Sequence, residues 1–317
     1  MSSHILLNIF KYIPRKLISF ARFTKDLFLS LIKGRYLKEI LPQATFSASN
    51  ESRHLSTTEA QSDRILILIP GKNVRPFLTN LIDNLLALSY PANLIDIGLL
   101  EGDSTDGSYE YLNQQLPRLR EKFDNVSLLK KDFHYQPKHR KRWLAKNQLL
   151  RRSTIAKARN HLLQKCLKPA HRWVLWIDAD VQYWPNDIIQ QLLSYKKQIL
   201  VPHCVDEKGK TFDLNSFKYV DNKRRNWLSY AKEELLQPPV GYGRKYLGDF
   251  APNILVALDG VGATMLLVAA TVHNDGVHFP EETYQMHIET EGFAFLARAK
   301  GYECWGTSDL EIIHPRY

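Results

Sequence analysis

"WVLWIDADVQYWP", residues 173 to 185, decides how the chain is read. Val174, Leu175, Trp176 and Ile177 form a continuous apolar run rather than an alternating one, the pattern of a strand buried on both faces. Asp178 and Asp180 follow where that strand would leave its sheet. In an extended segment residues i and i+2 point to the same side, so the two carboxylates are expected to converge. Like charges held that close repel, and the pair is costly unless a cation sits between them. A divalent metal is the candidate; two solvated acids in an ordinary strand-end turn are the plain alternative.

Upstream of that stretch, strand and helix patterns alternate. "RILILIP" (64 to 70) reads as a buried strand, and "FLTNLIDNLLALS" (77 to 89) as a helix stopped by Pro91. "LIDIGLLEGD" (94 to 103) is a second strand, and the helix expected after it would be capped by Ser104 or Thr105. "NVSLLKKD" predicts a third strand, and "RRSTIAKARNHLLQKCL" a helix that leads into "RWVLWIDAD". Regular alternation predicts an α/β fold, a mainly parallel sheet covered by helices with ligands at the carboxyl ends of its strands. That rule gathers Pro70 to Asn73, Glu101 to Asp106, and Asp178 with Asp180 on one edge.

The 317 residues are 44% hydrophobic, ordinary for a globular chain. A formal charge of +10 points to an anionic partner: nucleic acid, a phosphorylated ligand or a membrane surface. Cys166, Cys204 and Cys304 are far apart and odd in number, so free thiols and a reducing compartment are expected. Between residues 5 and 33, Lys11, Arg15, Lys16, Arg22, Lys25 and Asp26 interrupt every apolar run, leaving none of the roughly 18 residues a membrane span needs. Residues 1–41 read instead as amphipathic helices with a cationic face, broken at Pro14 and suited to an anionic bilayer; packing on the protein body is the alternative. A cleaved signal peptide is disfavoured by the short apolar core. Residues 42–62 are polar and rich in Ser and Thr, a linker, which places the folded domain at residues 63–317.

A strand ending in "IDAD" after an "ARN" helix, with "EGDSTDG" upstream, resembles a GT-A glycosyltransferase, in which D-x-D acids hold a divalent metal against a nucleotide-sugar diphosphate. "ALDGVGATMLLVAATVHNDGVHFP", then "HIETEGFAFLARAKGYECWG" and "IIH", resemble glycosyltransferase family 62, the fungal Golgi α-mannosyltransferases of mannan synthesis. The likeness runs from about residue 64 to 314. It implies a single GT-A (Rossmann-like) domain and transfer of mannose from GDP-mannose to a glycan acceptor with retention. Those fungal enzymes carry a transmembrane anchor near the N-terminus, where this chain has the interrupted basic segment. The expected location is therefore peripheral, on the cytoplasmic face of a membrane, with the Golgi lumen as the alternative.

The resemblance assigns roles. Asp178 and Asp180 would hold manganese or magnesium, with His314 as third ligand; a surface histidine is the alternative there. Pro70, Gly71 and Asn73 would let backbone approach the nucleotide, and Asp103 would accept hydrogen bonds from base or ribose, or serve only as a turn residue. Arg159 could grip the diphosphate bidentately, whereas Arg151 and Arg152, two turns earlier, read as a solvated face. Asp259 with the glycines of "LDGVGATMLL" would floor the sugar site. Glu289 and Glu291 could bond the acceptor hydroxyl or merely favour the start of their helix. Front-face attack needs no nucleophilic residue, only positioning and charge stabilisation. Two alternatives remain: an inverting family 2 type transferase with a UDP-sugar and Glu289 or Glu291 as base, and a non-catalytic subunit of a transferase complex. The basic run from Lys130 to Arg152 would suit nucleic acid, but an anionic donor and an anionic membrane explain the same charge, so no nucleic-acid partner is expected.

Overall fold

The computed structural model describes residues 62–136, 145–220, 231–232 and 235–316. The amphipathic segment 1–41, all but the end of the 42–62 linker and residues 137–144 of the basic run lie outside the described residues.

Four strands alternate with helices as the apolar patterning expects: β1 (Ile65–Gly71), α1 (Leu78–Leu86), β2 (Ile95–Glu101), α2 (Ser108–Lys122), β3 (Asn125–Lys130), α3 (Ala145–Cys166) and β4 (Trp173–Ile177). They continue into α4 (Ile188–Ser194), β5 (Ile199–Val205), β6 (Phe217–Tyr219), β7 (Ala231–Lys232), β8 (Leu235–Leu236), β9 (Arg244–Tyr246), β10 (Leu255–Leu258), β11 (Met265–Ala269), α5 (Ala270–Asn274), α6 (Glu289–Ala299) and β12 (Cys304–Ile313). Eight strands form one sheet in the order β10-β12-β5-β11-β4-β1-β2-β3. β3, β2, β1 and β4 are mutually parallel, as are β5 and β12; β11 enters antiparallel between β4 and β5, and β10 closes the edge antiparallel to β12.

The side-chain alternation of β1 shows why the runs are continuous. Ile65, Ile67 and Ile69 point into a core shared with α1, α2 and α4, while Leu66 and Leu68 point into a second core with α3, α5 and α6. β4 divides the same way, Leu175 and Ile177 to one face and Val174 and Trp176 to the other. Each such side chain contributes roughly 1.5–3 kcal/mol by leaving water, which makes both faces obligatory. The expected cap of α2 is not the observed one. Gly107, at φ +81°, occupies the cap position, and the Asp106 carboxylate accepts the Ser108 N–H (3.0 Å), whereas the Ser104 hydroxyl accepts the Asn73 N–H (2.8 Å). Ser104 is thus spent tying the β1 and β2 strand-end loops together.

The sheet places the carboxyl ends of β1, β2, β4, β5 and β12 on one edge, with the start of β11 beside them. Among the described residues no helix is long and apolar enough to cross a membrane. The three cysteines are free and buried.

Candidate functional site

A cleft of about 830 Å³ opens on that edge. Its lining includes Pro70 at the end of β1 with Lys72 and Asn73 after it, Asp103 after β2, Asp178 and Asp180 after β4, Arg151, Arg152 and Arg159 of α3, Arg244 of β9, and Glu289 and Glu291 of α6. Lys72, Arg151, Arg152, Arg159 and Arg244 balance Asp103, Asp178, Asp180, Glu289 and Glu291, so the described lining is electroneutral with five charges of each sign. Three of these residues hold left-handed backbone: Asn73 (φ 52°), Asp103 (φ 58°) and Glu289 (φ 56°). Such conformations cost of order 1–3 kcal/mol and persist only where surrounding structure enforces them.

The β4 acids are not brought together by an extended strand, although both line the cleft and the charge of Asp180 is felt at Asp178. The chain turns immediately after Ile177, with the Val181 N–H bonded to the Asp178 carbonyl (3.2 Å), so the alternation argument fails one residue past the strand. Asp178 faces Arg159, whose Nη2 donates to Oδ1 at 2.8 Å, and Asp180 faces His314, whose Nε2 lies 3.1 Å from Oδ1. Burial, with the charges of Asp180 and Glu289, outweighs the Arg159 guanidinium and pushes the Asp178 carboxyl up to about 6. His314 is brought back by β12, its ring stacked on Phe212 (3.8 Å, 12°) and its Nδ1 against the Pro315 carbonyl (2.7 Å). Burial lowers its basicity, but the bond to Asp180 and that carboxylate's charge raise it more. Two carboxylates and an imidazole are a donor set suited to manganese or magnesium. Among the described residues no three His, Cys, Asp or Glu side chains are gathered closely enough to hold a metal, and Asp178 is paired with Arg159.

Arg159 is the hinge of the wall. It is 3% exposed, donates from Nε to Glu289 (3.1 Å) and from Nη2 to Asp178, and its buried Nη1 has no hydrogen-bond partner. Seven residues earlier, nearly two full helical turns and so the same face, Arg152 donates to Glu291 (3.1 Å) and Asn215 (2.6 Å). The expected solvated face is therefore wrong for Arg152, whose side chain is 11% exposed: α6 packs its acidic start against that face of α3. Arg151 lines the cleft. Arg244 reaches Glu291 from the other side (3.0 Å) while lying 3.8 Å over the Phe217 ring. Burial would raise the Glu291 carboxyl, yet Arg244 and Arg152 together hold it down at about 2.

Asp103 lines the cleft with its carboxylate turned to the following loop, accepting the N–H of Phe133 (3.0 Å) and of His134 (2.9 Å). Asn73 is similarly engaged, its Oδ1 accepting the Thr105 N–H at 2.8 Å. Lys72, which the sequence reading passed over, stands beside them with its ammonium on the Tyr135 carbonyl and 3.9 Å from Asp103. Asp259 is not among the lining residues. It sits just past β10, where its carboxylate accepts the Tyr219 N–H (2.7 Å) and pairs with Arg298 (2.9 Å). The neighbouring glycines serve protein packing rather than a sugar: a Cβ on Gly260 would lie 2.4 Å from Phe217, and one on Gly262 1.8 Å from Asp213. Arg244 was missed because a two-residue alternation in "GYGRKY" is too short to mark which side chain turns inward.

The Anp1 family model matches residues 46–283. The "Mannan polymerase complex subunit mnn9" of Schizosaccharomyces pombe is 32% identical over 276 residues, 80% of this chain and 80% of that protein. The "Mannan polymerase II complex anp1 subunit" of the same yeast is 31% identical over 80% of this chain, which spans only 64% of that protein's length. A solved mannosyltransferase from Pyrobaculum calidifontis, in complex with GDP-Man and Mn2+, resembles the chain at a TM-score of 0.48 and 13% identity, covering 94% of this chain and 66% of that one. A likeness of that degree says nothing about ligands.

Proposed function

The chain belongs to the Anp1 family, and from that premise we propose that it transfers mannose from GDP-mannose to a glycan acceptor, metal-dependently and with retention, within a mannan polymerase complex. This keeps the family 62 reading of its motifs. The observation that carries it is the Asp180–His314 contact at 3.1 Å, with Asp180 and Asp178 both lining an electroneutral cleft at the carboxyl ends of the strands. A nucleotide sugar brings two negative charges, and a divalent cation held by Asp178, Asp180 and His314 would balance them. Bound there, the cation would stabilise charge on the departing nucleoside diphosphate.

The protein's own groups do the rest. Arg159 is the counter-ion to Asp178, and its Nη1, a buried donor without a partner among the described residues, would be available to a phosphate oxygen if a cation were held by that carboxylate. Lys72 supplies a second positive charge at the β1 end. Pro70, Asn73 and Asp103 form the nucleotide side of the cleft, and Glu289 and Glu291 with their arginines the acceptor side. Glu291, held near 2 by two guanidinium groups, is unsuited to take a proton at neutral pH, which favours front-face attack over an inverting reaction with that residue as base. Residues 1–41 lie on an anionic membrane surface in this reading, at the cytoplasmic face or in the Golgi lumen, with 42–62 as linker and 63–317 as the transferase domain.

The names of the relatives, subunits of complexes, favour one second reading: a non-catalytic partner that binds the donor or acceptor for another chain. Incubating the full chain with labelled GDP-mannose and a mannose oligosaccharide separates the two. Label transfer that requires Mn2+ and disappears in Asp180→Asn supports catalysis. Binding of GDP-mannose without transfer or hydrolysis moves the assignment to the subunit role, and transfer from a UDP-sugar overturns the donor.

A further inference from the structure

We propose that the hairpin from Cys204 to Phe212, together with Arg316, is a cradle that sets the His314 imidazole against Asp180 and thereby determines how tightly the cleft holds a divalent cation. The inference rests on the metal-dependent reading above.

β12 ends at Ile313, so the strand ladder does not itself fix the His314 ring. The hairpin does so at three levels. At the backbone, the His314 N–H donates to the Val205 carbonyl at 2.8 Å, extending the β5–β12 pairing by one residue. At the ring, Phe212 provides a nearly parallel face 3.8 Å away, which restricts rotation of the imidazole. Two residues further on, Arg316 anchors the segment: its Nε meets Asp206 at 2.7 Å, its Nη2 the Thr211 carbonyl at 3.4 Å, and its N–H Glu207 at 3.4 Å. Asp206 is a firm anchor because it is 2% exposed and its Oδ1 accepts the backbone N–H of both Lys208 and Lys210 at 2.9 Å.

Neither His314 nor Phe212, Asp206 or Arg316 is among the lining residues; His314 is the one of the four that touches the lining, at Asp180. The same arrangement fixes which ring nitrogen faces Asp180. With Nδ1 held on the Pro315 carbonyl at 2.7 Å, Nε2 is the ring nitrogen turned toward Asp180, where it donates its proton to the carboxylate (3.1 Å) and where a cation would take that proton's place. Partners that orient a ligating histidine typically account for 10–100-fold in metal affinity, which makes these positioning residues rather than ornaments of the fold.

The test is Mn2+ affinity of the full chain, read from loss of the free-ion electron paramagnetic resonance signal, with thermal unfolding run alongside. Arg316→Ala is expected to weaken Mn2+ binding about tenfold without lowering the unfolding temperature, and Arg316→Lys to recover most of that loss. Phe212→Leu, which keeps an apolar contact and removes the stacked face, should weaken binding in the same direction and stands in if Arg316→Ala does not fold. Because the effect passes through His314, adding Arg316→Ala to His314→Ala should weaken binding no further. Unchanged affinity in both single variants, or equal losses with and without His314, overturns the cradle alone. A wild-type chain that does not bind Mn2+, or binds it as well after Asp180→Asn, overturns the metal-dependent reading and the cradle with it.

Discussion

Two acid pairs with the same one-residue spacing line the cleft and meet at Arg159, Asp178 with Asp180 after β4 and Glu289 with Glu291 at the start of α6. Written as letters they are alike, and the fold uses them in opposite ways. Glu291 has two guanidinium groups to itself, from Arg152 and Arg244, and is held down at about 2 against the pull of burial. Asp178 shares the single guanidinium of Arg159 with Glu289, stands beside Asp180, and is pushed up to about 6 chiefly by burial. One site already has its cations. The other is short of positive charge, which is where a metal ion and a diphosphate-gripping arginine would act.

The largest expected effect breaks the saturated side. Glu291→Gln leaves Arg152 and Arg244 buried without their counter-charge, and urea unfolding should show a loss of about 3–5 kcal/mol. A loss below about 1 kcal/mol would mean the clamp does not hold the wall together. The pH dependence has a definite sign. Because its folded-state value lies below the ordinary glutamate value of 4.5, Glu291 contributes stability that is fully present above that pH and lost as pH falls toward about 2. Glu291→Gln should remove that segment of the acid-unfolding profile.

Arg159→Gln comes next, since it leaves Asp178 and Glu289 facing each other unscreened. A loss of about 3 kcal/mol is expected in the absence of metal. At one fixed Mn2+ concentration this variant should regain more stability than Glu291→Gln, whose β4 acids are untouched and which should gain only what the unaltered protein gains. Equal behaviour of the two variants toward Mn2+ would erase the distinction between the pairs. Asp106→Ala gives the scale of an ordinary carboxylate, one that accepts the N–H groups of Ser108 and Arg75 near the start of α2, and should cost about 1 kcal/mol in thermal or urea unfolding. Asp178→Asn should have the smallest effect on the fold, less than about 1 kcal/mol without metal, because an amide can still accept from Arg159 while no longer requiring its charge. The same variant should lose the Mn2+-dependent shift entirely.

The sequence was most legible where physics is local. Continuous apolar runs located β1, β2 and β4 because each is packed on both faces, and the parallel-sheet rule correctly gathered Asn73, Asp103 and the β4 acids on one edge. It failed where the answer depends on distant partners. Nothing near Arg152 announces Glu291, 139 positions away, so a helical arginine looked like solvent-facing charge. Asp259 looked available for the same reason, until Arg298 and the Tyr219 N–H are seen to engage it. The antiparallel insertion of β11 between β4 and β5 leaves no local trace either, since strand order is set by pairings across about ninety residues. Asp178 and Asp180 do line one cleft, but they reach it through a turn that starts where the strand ends at Ile177, not through strand alternation.

The central claim is that the acids after β4 and His314 take a cation that the cleft needs in order to bind a sugar nucleotide. Calorimetric titration of the full chain with GDP-mannose, in Mn2+ and then in chelator, tests it most directly, with Asp180→Asn as the comparison. The account predicts binding that requires Mn2+ and is lost in the variant. GDP-mannose binding that survives both chelator and Asp180→Asn would contradict it.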